Sequence, residues 1–266
     1  MSNRPPRRRN LAPWLGRAFL AVGRALYLGP AGDTTPHAHH ALQLSVGLDG
    51  PLRLRRGAGR WRTLDGALVA PDVPHQLNGR GGPVLLLYLE PESDDGRRLL
   101  PASRGELEAV STKTVADVRA AVDALGHDLD PSQAFVGILS SLGVASADPP
   151  PSDARVGAAI RRLRLAPATP RALGDLALEV GLSPSRFRHL FREQVGMSAQ
   201  SYLVWLRLYE SCRALAEGAR LSDAAFRGGF SDAAHFTRTF RRTFGLAPSQ
   251  IAARLEMMNV GSRADR

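Results

Sequence analysis

The sequence predicts an α+β chain of two domains, with a β-rich barrel or sandwich in its N-terminal half and an all-α C-terminal half. Three observations carry this. Short apolar runs between residues 24 and 90 alternate with a period of two, as half-buried strands do. Residues 173–248 hold one two-helix pattern written twice. Between these halves, residues 146–153 (SADPPPSD) contain three successive prolines, which cannot continue a helix and favour a stiff extended linker. A length of 266 residues suits two domains, and 44% hydrophobic residues lets each bury a core.

Taken in order, residues 1–10 read as a basic disordered tail. The apolar stretch that follows superficially resembles a secretion signal, but Gly16 and Arg17 break it. Predicted strands cover residues 24–28, 41–48, 51–56, 60–64, 67–70 and 84–90. Leu42, Leu44 and Val46 alternate with Gln43 and Ser45, and Asp49-Gly50 is a hairpin turn signal. Residues 84–89 are continuously apolar, which predicts burial on both faces. Trp61 and Tyr88 are assigned to the core, His127 to a structural role near a helix end, and residues 91–96 (PESDDG) to an acidic turn.

Helical patterns begin near residue 105 and continue over 114–125 and 131–142. Val115, Val118, Val122 and Leu125 share one face, as do Phe135, Ile138, Leu139 and Leu142. These faces either pack on their own barrel or pair two copies of the chain. The first domain is thus drawn at 11–145, with a barrel at about 24–90 and helices at about 105–143, and the linker at 146–153. The all-α domain spans 154–255, with a tail over 256–266. Its first helix, 153–165, is capped by Asp153 and buries Val156, Ile160 and Leu163.

In the repeated pattern, Ala177 matches Ala225, Gly181 matches Gly229, and Ser183 matches Ser231. Phe187 and Phe191 match Phe236 and Phe240, and Gly196 matches Gly245, with one extra residue after Ser231. The glycines permit the positive φ of a tight turn, the serines can N-cap the second helix, and each Phe pair makes one buried stripe. A two-helix unit with Gly in its turn is the DNA-reading helix-turn-helix, placed here at about 173–196 and 221–245. The opposite faces carry Ser185, Arg188, His189 and Arg192 in the first unit, and Ala234, Thr237, Arg238 and Arg241 in the second. Ser185, Arg188, His189, Thr237 and Arg238 are the expected base readers; Arg186, Arg192, Arg241 and Arg242 are the expected phosphate contacts.

With Tyr202, Leu203, Arg207, Phe230 and Pro248, these residues resemble the DNA-binding domain of AraC/XylS-family transcription regulators. The resemblance implies seven helices, a long connecting helix over about 199–217, and recognition helices at 184–195 and 232–244 in successive major-groove turns. The chain departs from the pattern at Pro248-Ser249-Gln250-Ile251, where an aromatic usually follows the Pro, and at Ala233 and Ala234, which replace polar residues. Arg207 is expected to brace the connecting helix.

The barrel carries a second set of residues. His37, His39 and Gln43 alternate onto one strand face, and a Gly66–Pro71 segment leads to His75 and Asn78. Together they resemble the two signatures of the cupin barrel. The resemblance implies an effector pocket lined by His37, His39, Gln43 and His75, the positions that hold metal in metal-binding cupins. Gln43 stands where Glu is usual, which removes a charge and shifts preference toward N-preferring divalent metals. Lining a polar pocket and binding metal both remain open. His40 points to the other face and reads as a surface or interface residue.

The net charge of +10, carried by arginine with a single lysine, suits an anionic partner. One cysteine, Cys212, excludes a disulfide framework and fits the cytoplasm. No apolar run reaches membrane-spanning length. The function read from these features is a cytoplasmic, sequence-specific transcription regulator. It binds double-stranded DNA as a homodimer, answers an unknown small effector, requires no cofactor, and has RNA polymerase as a further partner. The alternative is a metal-dependent cupin enzyme with an accessory nucleic-acid domain.

Overall fold

The structure, a computed structural model, describes residues 14–125, 130–144, 148–168 and 172–258. The basic tail at 1–10, His127 and residues 259–266 lie outside the described residues.

Eight strands form the first half of the barrel: β1 (Arg17–Ala21), β2 (Arg24–Pro30), β3 (Leu42–Gly47), β4 (Leu52–Arg56), β5 (Arg62–Leu64), β6 (Gly66–Val69), β7 (His75–Asn78) and β8 (Pro83–Leu89). Then come α1 (Asp94–Leu99), β9 (Leu107–Ala109), α2 (Thr112–Asp123) and α3 (Pro131–Ser141). A larger sheet, in the order β10-β1-β2-β8-β3-β6-β9, faces a smaller one, β5-β4-β7; β10 (Leu255–Met257) is the last strand of the chain.

The larger sheet is buried on both faces, which explains the unbroken apolar run of β8. Leu85, Leu87 and Leu89 face α2 and α3 with Val118, Phe135 and Ile138, while Val84 and Leu86 face inward with Leu52, Leu54 and Leu77 of the smaller sheet. Val115, Val118, Phe135, Ile138 and Leu139 are therefore covered by their own barrel, and the amphipathic faces that suggested a dimer are already occupied.

Several local expectations are corrected. The signal-like segment folds into β1, since the hairpin with β2 buries Phe19 and Leu20. Residues 107–109, read as the start of a helix, instead pair with β6 as β9. Trp61 is not core: it lies half-buried with the guanidiniums of Arg53 and Arg55 over its ring at 5.3 and 4.8 Å.

The helical half comprises α4 (Ala154–Leu165), α5 (Leu173–Glu179), α6 (Pro184–Val195), α7 (Ala199–Ala216), α8 (Leu221–Arg227) and α9 (Ala233–Phe244). Where the family resemblance implies a seventh helix, the described chain makes two 3-10 turns, Pro248–Gln250 and Ala252–Arg254, and then enters β10. Residues 256 and 257, read as tail, pair in parallel with β1 through Phe19 and Leu20, and Arg17 bridges Glu256 at 2.9 Å.

α7 spans two separate cores. Its Tyr202, Leu203 and Leu206 join Phe187, Phe191 and Val156 around the first helix-turn-helix unit. Its Leu208, Cys212 and Leu215 join Phe236, Phe240 and Phe230 of the second unit, and that core runs on into Trp14, Leu20, Tyr27 and Leu86 of the barrel. Arg207 braces α7 by donating to the Pro167 carbonyl at 3.1 Å.

Candidate DNA interface and sensor site

In the first unit, Gly181 takes φ +73° and Gly196 ends α6 at φ +87°. The Ser183 hydroxyl accepts from the Arg186 N–H at 3.3 Å, and Pro184 occupies the first helical turn, where no N–H is needed. Phe187 and Phe191 are buried with ring centroids 5.4 Å apart. That anchoring turns Ser185, Arg186, Arg188, His189 and Arg192 to solvent.

In the second unit the cap shifts by one residue. Asp232, rather than Ser231, accepts the His235 N–H at 2.7 Å, because the additional residue after Ser231 moves the helix start; the Ser231 hydroxyl donates to Asp232 at 3.1 Å. Phe236 and Phe240 are buried, Ala234, Arg238, Arg241 and Arg242 are exposed, and Thr237 is half-buried. Among the described residues, Arg186, Arg188, Arg192, Arg238, Arg241 and Arg242 form no salt bridge, so these guanidiniums are available to an anion, while His189 lies 3.9 Å from Glu193.

The barrel brings His37, His39, Gln43 and His75 together, all buried. His37 and His75 face each other across an isolated antiparallel bridge, and their rings are 4.2 Å apart. Gln43 Oε1 lies 2.9 Å from His39 Nε2 and 3.2 Å from His75 Nε2, and its Nε2 donates to the Ser45 hydroxyl at 2.8 Å. Burial lowers the pKa of all three histidines, that of His37 to about 3, so they stay neutral.

His40, on the opposite face, belongs to a second cluster that joins barrel and helices. Its Nε2 lies 2.8 Å from Glu92, and its ring stands edge-on to Tyr202 and Trp205. The Arg164 guanidinium pairs with Glu90 and reaches Tyr202 Oη at 3.1 Å, and Trp205 Nε1 donates to Glu90 at 2.7 Å. Burial and the charge of Glu92 raise Glu90 to about 7. Burial also opposes the charge of Glu92, but His40 overrides it and lowers Glu92 to about 2. Nothing in the sequence pointed to this cluster, since Glu90 meets partners 74 and 115 positions away.

A cavity of about 120 Å³ lies where the two halves meet. Trp14, Leu20, Tyr27 and Tyr88 line it from the barrel, and Trp205, Leu208, Phe240 and Phe244 from the helices. Its wall is almost wholly apolar, and among the described residues the buried Trp14 Nε1–H has no partner. The cysteine borders it too; burial pushes the Cys212 thiol up to about 12, which leaves it unreactive near neutrality.

Two helix-turn-helix units on one connecting helix, each with exposed arginines facing out, define a bipartite DNA-binding domain attached to a β-barrel with a pocket. The comparisons agree. A sequence profile described as a helix-turn-helix domain matches residues 176–254. The HTH-type transcriptional activator RhaS of Escherichia coli (strain SE11) is 36% identical over 77 residues, 29% of this chain and 28% of that protein. The arabinose operon regulatory protein of Salmonella typhimurium is 35% identical over 86 residues, 32% of this chain and 30% of that protein. The match thus spans under a third of either relative. Unsaturated fatty acid bound wild-type ToxT from Vibrio cholerae strain SCE256 shares the fold over 93% of this chain and 98% of its own, with a TM-score of 0.56 and 13% identity. The chain carries a helix-turn-helix domain over residues 176–254, and its fold over most of its length is similar to that of ToxT.

Proposed function

We propose that the chain is a sequence-specific DNA-binding transcription regulator whose barrel senses a small effector and passes that state to the DNA-reading helices. One observation supports this most: the second helix-turn-helix unit shares its hydrophobic core, and a cavity, with the barrel, while its arginine face stays in solvent. A molecule entering the cavity touches barrel strands and α9 together, so it binds one interdomain arrangement better than another; such differential affinity is what shifts a population.

The effector is apolar, because the wall offers aromatic and aliphatic side chains with Trp14 Nε1 as a free donor. The fatty acid bound to the fold neighbour supports an apolar occupant in a fold of this kind. Arg188 and Arg238 read bases, with Ser185, His189 and Thr237 beside them; Arg186, Arg192, Arg241 and Arg242 hold phosphates.

The regulator acts in the cytoplasm and, as a homodimer, reads two sites. With α2 and α3 packed on the barrel, their outer surface, where Val136 is 63% exposed, is the remaining helical surface for pairing. RNA polymerase is the partner proposed for Leu178 and Phe226, exposed at matching positions of the two units. We favour a regulator over an enzyme because Gln43 replaces the carboxylate a reactive metal site would use. Competition binding tests the reading: a DNA ligand selected from a random pool should bind at least about 10³-fold more tightly than bulk DNA. A ratio near one would leave a non-specific DNA-coating protein.

A further inference from the structure

We propose that the outer face of the smaller sheet binds the phosphate backbone of duplex DNA beside the site taken by α9, so that the barrel itself is part of the DNA contact. This rests on the reading of α9 given above. Strand alternation builds the face. On β4, Leu52 and Leu54 point into the barrel core, so Arg53 and Arg55 point out. Across the sheet, Thr63 and Asn78 flank Arg53, and Gln76 lies beside Arg55. All five are exposed or half-buried. Residues 51–64 hold five arginines and no acidic residue, so the face is cationic.

The two arginines are already ordered for an anion. Both guanidiniums stack on the Trp61 ring, and Arg55 Nε donates to Gln76 Oε1 at 2.8 Å. Planar groups held in this way lose less rotamer freedom when they take a phosphate. Among the described residues neither Arg53 nor Arg55 forms a salt bridge, and exposed Arg60, in the turn that follows β4, forms none. The bordering acids are engaged: Glu106 with Arg56 at 2.9 Å and Asp65 with Arg119 at 3.5 Å, while Asp33, across the bridge from Asn78, is not free either. Two residues of strand span about 6.7 Å. One DNA strand sets a charge about every 3.4 Å of axis, so the pair lies along a short run of backbone.

Location supplies the partner. Gln76 Nε2 donates to the Thr34 carbonyl at 2.7 Å, and the next residue, Thr35, donates its N–H to the Gly245 carbonyl at 2.7 Å. Gly245 ends α9, one turn after the exposed Arg241 and Arg242. The segment Thr34-Thr35 thus links Gln76, the partner of Arg55, to the end of the second recognition helix. The junction is tight: a Cβ on Gly245 would lie 2.6 Å from the Thr35 oxygen and 2.8 Å from the Thr34 Cβ, which sets the spacing between sheet and helix. A duplex seated on Arg238, Arg241 and Arg242 brings its flanking phosphates to Arg55 and then Arg53. The contact reads charge rather than sequence.

The full chain carrying Arg53→Gln and Arg55→Gln together tests this against the wild type. Affinity for selected duplex and for bulk duplex is measured across salt concentrations. Each phosphate contact contributes about 0.9 to the slope of log affinity against log salt. The double variant should therefore flatten the slope by about 1.8 on both duplexes and leave their affinity ratio unchanged. Arg53→Lys with Arg55→Lys keeps both charges and should keep most of the slope, which a folding defect would not do. Hydroxyl-radical protection on the selected duplex should shrink beside the segment contacted by α9. An unchanged slope, a loss confined to single strands, or a Lys variant as weak as the Gln variant overturns the proposal. The affinity ratio tests the regulator separately: a ratio near one in the wild type, with the slope still flattened by the Gln variant, would reject base reading and uphold this surface.

Discussion

Thr35 and Gly245, 210 positions apart, are joined twice: the Thr35 backbone N–H and hydroxyl both donate to the Gly245 carbonyl, at 2.7 and 3.1 Å. One residue precedes the histidine cluster of the barrel; the other ends the second recognition helix. With the shared core and the pairing of β10 on β1, this fastens the second unit to the barrel through apolar packing, whereas the first keeps an apolar core of its own and meets the barrel through the polar cluster of Glu90, Arg164 and Trp205.

Arg188→Ala and Arg238→Ala should each lower affinity for the selected DNA by about 1–3 kcal/mol, the value of a lost bidentate base contact. Arg241→Ala should weaken all sequences alike and flatten the salt dependence. Equal losses on selected and random DNA for Arg188→Ala would remove that residue from base reading.

Phe191→Ala empties the centre of the first unit and should cost about 3–5 kcal/mol. Because that core is separate, hydrogen exchange should rise across residues 154–206 while the barrel and α9 keep their protection. A single cooperative loss of the whole chain would show that the two cores are coupled through α7.

Ala18→Leu projects added methylenes into the interdomain cavity. At about 0.8 kcal/mol per buried CH₂, it should stabilise the chain by about 1–2 kcal/mol and abolish uptake of an apolar fluorescent probe. A destabilised variant that still takes up the probe would place the binding space elsewhere.

The Glu90–Glu92 pair predicts an optimum of pH for the contact between the halves. Glu92 is held near 2, below its ordinary 4.5, so its contribution is present above 4.5 and lost as pH falls toward 2. Glu90 is raised to about 7, so stability declines as pH climbs from about 4.5 to 7, where an unfolded carboxyl ionises and the buried one resists. The pair titrates as a unit. Limited proteolysis against pH should find the interface tightest near the lower end of that window. Glu90→Gln should remove the decline toward neutrality, and Glu92→Gln the acid loss.

The helical half was legible because its signals are local. Gly181, Ser183 and the Phe187/Phe191 stripe lie within one or two turns of each other, and the structure uses each as its spacing implies. The second unit was misread by one residue because a cap depends on where the backbone turns, and Ser231 and Asp232 both carry a suitable oxygen. Strand alternation put His37, His39 and Gln43 on one face, although His37 and His39 in fact precede β3, and His75, which opens β7, joined them through the resemblance to the cupin signatures. What stayed hidden is long-range. β1 reads as a leader until β2 and β10 pair with it, and the acidic run after Leu89 reads as a surface turn until Arg164 and Trp205 cover Glu90. The cavity is formed by residues from 14 to 255, and no window of sequence contains it.

The central claim is that both arginine faces read one duplex. Hydroxyl-radical footprinting on DNA selected from a random pool measures it most directly. Each chain should protect two segments about one helical turn apart, about 34–36 Å centre to centre, with Arg188→Ala erasing one and Arg238→Ala the other. A single protected segment, unchanged by Arg238→Ala, would contradict the account.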